Sequence, residues 1–157
     1  MNPSDGGSRV VVGVDGSPSS YAALRWAVRQ ARRTGATLDV VGVHEVPGAG
    51  WPAPFADAAF DEEQAVKALS EELGSALSRI GETPPLEQHV VRGNPAEVLI
   101  EASARAELLV VGSRGRGGFA SLLLGSVSQQ CAVHASCPVV IVRADAPEGA
   151  DSADPTP

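Results

Sequence analysis

Cysteine is scarce in this chain. Its 157 residues hold two, Cys131 and Cys137, too few for the disulfide framework of a small secreted scaffold. Both are expected to pack as small core residues of a reduced, cytoplasmic protein. No apolar run approaches the ~18 residues that a membrane-spanning helix needs. The opening MNPSDGGSRV lacks a basic stretch followed by an apolar one, so no secretory leader is expected. Positive charge is also short: 12 Lys and Arg face 19 Asp and Glu, a formal charge of −7. That balance opposes nonspecific binding to nucleic acid or an anionic membrane, and neither is expected as a partner.

Several catalytic signatures are missing as well. Lysine occurs once, as Lys67, far from any glycine-rich loop. A P-loop needs Gly-x4-Gly-Lys-Ser/Thr, so Walker-type NTPase chemistry is excluded. No Gly-x-Ser-x-Gly elbow occurs, and no serine has a local base suggested by sequence. An Asp-x-Asp phosphatase nucleophile is unsupported, because Ser17 stands two residues after Asp15. His44, His89 and His134 are widely separated and lack metal-ligand spacing, so surface or packing roles are expected and no metal ligands are assigned.

What is present suits one α/β domain. Apolar residues make up 43% of the chain, enough for an ordinary core at this length. Four short, Val-rich runs stand out: Val10 to Val14, Leu38 to Val43, Leu108 to Val111 and Val139 to Val142. Being nearly continuous rather than alternating, they read as strands of a parallel sheet covered on both faces. Leu86 to Val91 alternates more and suits a sheet edge.

Helical segments separate these runs. Ser17-Pro18 supplies an N-cap and a proline at the first helical position. Leu24, Ala27, Val28 and Ala31 then form one apolar face, Arg25, Arg29 and Arg32 a solvated one, and Gly35 a C-terminal stop. Further helices are expected over about 58–80, from Asn94-Pro95-Ala96-Glu97 onward, and over about 126–135. Strict alternation of strand and helix implies a doubly wound α/β sheet. The domain is expected to span 9–143. Residues 1–8 are expected to be flexible. Residues 144–157, with four acids, three prolines and no base, are expected to form a disordered acidic tail. Residues 44–57 form a long Pro/Gly connection, of a length usually functional or mobile.

Two stretches carry chemistry. Val110 to Val127 runs from a buried strand into a loop with Gly112, Gly115, Gly117 and Gly118, then Gly125-Ser126 opens the next helix. Glycines allow close backbone approach to an anion, and a helix N-terminus offers free N–H groups. Ser126 with Gln129 reads as a Ser-x-x-Gln capping box. The alternative is a plain, well-capped β-α connection. Gly115 to Ala120 also fits Gly-x-Gly-x-x-Gly/Ala. It follows the fourth strand, however, with no acid about 20 residues on, so a dinucleotide fold is not indicated. Arg114 and Arg116 lie in the loop, Arg114 being slightly favoured to meet phosphate. The second stretch is Val10 to Ser17. It puts Asp15 at the carboxyl end of the first strand, where open α/β sheets bind ligands. There Asp15 is a candidate acceptor from a ribose hydroxyl or an adenine amine, or a helix-flanking acid. Trp26 and Trp51 read as packing residues, with Trp51, in the long connection, alternatively placed to cover a ligand.

Together these motifs resemble the universal stress protein family over nearly the whole folded region, from VVVGVDGS to CPVVIVR. Gly112, Gly115, Gly125 and Ser126 match Gly-x2-Gly-x9-Gly-Ser/Thr, the signature of the family's ATP-binding branch. The resemblance implies a five-stranded parallel sheet of order 3-2-1-4-5 sandwiched between helices, adenine nucleotide alpha hydrolase-like. It also implies homodimers through the last strand, Val139, Val140, Ile141 and Val142. By position, Gly13 and Asp15 resemble the nucleoside site, the backbone of Val43 the adenine-edge contact, and Gly112, Ser113, Arg114, Gly115, Gly125, Ser126 and Val127 the ribose-phosphate cradle. ATP is the implied ligand, with Mg²⁺ or Mn²⁺ held by phosphates and water. The expected function is an ATP-binding stress-response regulator with little catalysis. The alternatives are a slow ATPase, or a cyclic-AMP-binding or nucleotide-free interaction module.

Overall fold

In a computed structural model, which describes residues 7–45, 58–114 and 124–144, strands and helices alternate along the chain. The elements are β1 (Arg9–Val14), α1 (Pro18–Thr34), β2 (Thr37–His44), α2 (Ala58–Ile80), β3 (Leu86–Arg92), α3 (Pro95–Ser103), β4 (Leu108–Gly112), α4 (Ser126–His134) and β5 (Val139–Val142). All pairings are parallel, and the sheet order is β3-β2-β1-β4-β5. The expected architecture is therefore present, with the alternating segment, β3, at one edge.

Local signals explain the helix boundaries. Ser17 caps α1 by accepting a hydrogen bond from the Ser20 amide at 3.3 Å, and Pro18 follows it. Gly35 ends that helix at φ 72°, a left-handed conformation that costs a residue without Cβ little. Asn94 caps α3 by accepting from the Glu97 amide at 3.1 Å.

Side chains alternate across β1 and divide the core in two. Val10, Val12 and Val14 meet Leu24, Val28, Leu73 and Leu77 of α1 and α2. Val11 faces the other way, toward Leu99 of α3 and Cys131 of α4. Leu24, Leu38, Leu73 and Leu109 are completely buried, each contributing roughly 1.5–3 kcal/mol by removal from water. Trp26 packs at the margin of the first cluster, as expected.

The switch in strand order falls at β1. Its ladder with β4 runs from Val10↔Leu108 only to Val12↔Val110, whereas its ladder with β2 continues to Val14↔Gly42. Beyond Val12 the carboxyl ends of β1 and β4 are thus no longer paired with each other. Open α/β sheets leave a crevice at this point.

Candidate functional site

A cavity of about 630 Å³ fills that crevice. Of the residues expected from the sequence, Gly13, Asp15, Val43, Gly112, Arg114, Gly125, Ser126 and Val127 line it. Ser113 does not line it but is buried behind it. Its carbonyl accepts from the Gly125 amide at 2.7 Å, and its amide donates to the Val142 carbonyl at 2.8 Å. These two bonds join the end of β4 to the start of α4 and to β5. Gly115, Arg116, the 46–57 part of the long connection with Trp51, residues 1–6 and the tail from 145 lie outside the described residues.

Asp15 follows β1 and is exposed to the cavity. Its Oδ1 accepts from the Ser17 amide at 2.8 Å, an Asx-type turn, and its own amide donates to Ser20 Oγ at 3.3 Å. The carboxylate therefore supports the start of α1 while also facing the cavity. Val43 stands one residue past the end of the β1–β2 ladder.

The start of α4 departs from expectation. Its N-cap is Gly125, without a side-chain cap bond, and Ser126 is the first helical residue. Ser126 and Gln129 therefore make no capping box. Instead Gln129 Nε2 donates to the Leu124 carbonyl at 3.0 Å, and Ser128 Oγ donates to that of Gly125 at 2.9 Å. A glycine cap supplies no oxygen to the first N–H groups of the helix, which leaves a positive dipole end directed at the cavity wall.

Part of the wall was not legible as a motif. Ala65, Leu69 and Glu72 of α2, and Leu99 of α3, line the cavity together with His44 and Glu45. Glu72 accepts from the Tyr21 hydroxyl at 2.5 Å. His44 thus sits at the cavity rather than on a remote surface.

A second cluster arises across strands. Asp39, Glu87 and His89 bring their ligand-type atoms within 4.8 Å of one another, although nothing in their spacing suggested it. Arg9 Nε and a terminal nitrogen each lie 3.0 Å from an Asp39 oxygen, and the same terminal nitrogen lies 2.9 Å from Glu87. The guanidinium holds the Glu87 carboxyl below its usual range, and the two carboxylates raise the Arg9 guanidinium. With Arg9 in place the cluster is an ion-pair network. It lies near the amino ends of the strands: Asp39 is four residues, or ~13 Å of strand, from Val43.

A five-stranded parallel sheet of this order, with its cavity at the switch point, is a doubly wound α/β fold of the adenine nucleotide alpha hydrolase-like type. The model of the universal stress protein family matches residues 7–143, and the chain belongs to that family. A universal stress protein of Mycolicibacterium smegmatis is 38% identical over 135 residues, covering 85% of this chain and 45% of its own length. The chain thus spans about half the length of the curated relatives it matches. Among solved structures, a universal stress protein in complex with cAMP is 31% identical, with a TM-score of 0.65 over 88% of this chain and 99% of that one. One from Archaeoglobus fulgidus in complex with dAMP is 26% identical, with a TM-score of 0.59 over 86% and 97%. No helix among the described residues is long and apolar enough to cross a membrane.

Proposed function

We propose that this chain binds an adenine nucleotide in the crevice between β1 and β4 and acts as a cytoplasmic, ATP-binding stress-response regulator with little catalysis. The observation that carries this reading is the gathering of Asp15, Val43, Arg114 and the glycine-capped N-terminus of α4 around one cavity. A carboxylate and a strand end suit a nucleoside, while a cation and a helix N-terminus suit phosphate. The relatives solved with cAMP and dAMP support the same ligand class. Turnover is expected to be slow, because no P-loop lysine is present and no described group is evidently poised to activate water.

Charge favours a second reading, cyclic AMP or another monophosphate. Asp15, Glu45 and Glu72 share the cavity wall with Arg114. A triphosphate entering there needs Mg²⁺ or Mn²⁺, bound through its own oxygens and water, to offset its charge. A monophosphate has much less need of one. Homodimerisation through β5, whose four residues are all half-buried, completes the proposal.

Mass spectrometry of nucleotide released from purified, heat-denatured protein identifies the ligand. Calorimetric titration with ATP, AMP, cAMP and adenosine, with and without Mg²⁺, then ranks them. Mg²⁺-dependent ATP binding tighter than cAMP binding supports the first reading. The reverse order supports the second, and no binding of any adenine compound overturns both.

A further inference from the structure

The start of α1 is bonded to two residues that line the cavity. Asp15 is tied to it by the Ser17 amide and by Ser20 Oγ. Arg114 is tied to it through its backbone. Ser19 Oγ accepts from the Arg114 amide at 3.2 Å and donates to the Arg114 carbonyl at 2.5 Å. Ser17 Oγ donates to the same carbonyl at 3.1 Å. One hydroxyl has the single donor and the two acceptor sites this arrangement requires of it, and one carbonyl has two lone pairs for the two hydroxyls.

Ser17 and Ser19 are each 4% exposed, and neither is among the residues lining the cavity. Both hydroxyls bond instead to the Arg114 backbone, while the Ser17 amide bonds the Asp15 carboxylate, so the segment links two residues that do line it. Without Ser19 Oγ, the Arg114 amide would have to find water or another acceptor, and the peptide would move to reach one. Ser113, the preceding residue, is bonded to the α4 N-terminus through Gly125, so a shift at Arg114 is felt at the anion-binding end.

We propose that Ser19, assisted by Ser17, is a positioning residue that fixes Arg114 relative to Asp15 and so lets the site distinguish phosphorylated nucleosides from adenosine. The inference rests on the nucleotide-binding reading above. It predicts a selective defect: the phosphate side of the site is displaced while the nucleoside side keeps its own bonds to Ser17 and Ser20.

The test compares wild type, Ser19→Ala and Ser19→Cys by calorimetric titration with AMP and with adenosine, beside thermal melts. Ser19→Ala is expected to weaken AMP binding about tenfold and adenosine binding less than twofold. Ser19→Cys, which retains a weaker donor and acceptor of similar size, is expected to lie between. A merely structural role would lower the melting temperature without changing the AMP-to-adenosine affinity ratio. An unchanged ratio in a folded Ser19→Ala overturns the inference. If Ser19→Ala does not fold, Ser19→Cys alone decides. Wild-type protein that binds neither compound refutes the nucleotide reading itself, a different outcome from wild-type binding with an unaltered ratio in the variants.

Discussion

Gly112 and Ser19 touch so closely that a side chain on Gly112 has no room. A β-carbon there would lie 2.6 Å from Ser19 Oγ and 2.7 Å from the Ser20 amide nitrogen. The need for glycine at the end of β4 thus includes the packing of α1, whatever phosphate also requires. Gly112→Ala is expected to destabilise the fold by about 1–3 kcal/mol, as overpacking against backbone does. Gly13→Ala is the contrast. Its β-carbon would meet the Leu99 side chain at 2.7 Å, and a leucine end yields more easily than a helix backbone. Urea denaturation of both variants should rank Gly112→Ala as clearly the less stable, and equal midpoints would contradict this account.

Asp15 is expected to show two separable effects. Asp15→Ala removes both the acceptor for the Ser17 amide and the cavity carboxylate. It should lower the melting temperature and weaken ATP and adenosine binding together, leaving inorganic triphosphate binding unchanged. Asp15→Asn keeps an oxygen for Ser17 and should restore the melting temperature while affinity remains reduced. Full recovery of adenosine binding in Asp15→Asn would assign the residue to the helix start alone.

Cys131 gives the fold an alkaline limit. Burial raises its thiol from 9.0 to about 11, so between those values the unfolded chain loses a proton that the folded chain keeps. The stability this provides is complete below pH 9 and falls as pH rises through the folded value. The difference is about 2–3 kcal/mol for a shift of this size. Urea midpoints measured from pH 8 to pH 11 should therefore fall more steeply in wild type than in Cys131→Ala. Parallel curves would show that the thiol ionises equally in both states.

Assembly is tested at Ile141. As part of an apolar edge strand, it suits pairing with a second copy about a two-fold axis, the strands antiparallel. If the chain dimerises through β5 as proposed, Ile141→Lys should shift the sedimentation profile toward monomer. An unchanged profile would count against this interface.

The architecture was legible because its signals are local. Continuous Val-rich runs announced buried strands, and Ser17-Pro18, Gly35 and Asn94-Pro95 marked helix ends that the structure reproduces. The α4 start was misread because Ser126 and Gln129 have capping-box spacing, while the true cap, Gly125, offers no side chain to read. Glu72 and His44 were missed for a different reason. Their place at the cavity depends on how α2 and the end of β2 pack, and nothing in their neighbours' identities encodes that. The Arg9–Asp39–Glu87 network likewise exists only through strand register: Asp39↔Glu87 are direct partners, although 48 residues of sequence separate them.

The two margins of the sheet differ in a way that bears on unlimited growth. Along β3, Glu87, His89, Val91 and Arg92 are exposed, and another strand docking there must strip water from the Glu87 carboxylate and the Arg92 guanidinium. Along β5 the residues are Val-Val-Ile-Val. Two copies joined symmetrically through β5, as proposed above, would turn this mixed β3 margin outward, a poorer surface than Val-Val-Ile-Val for a third copy. Growth by further strand addition would then be disfavoured beyond two members.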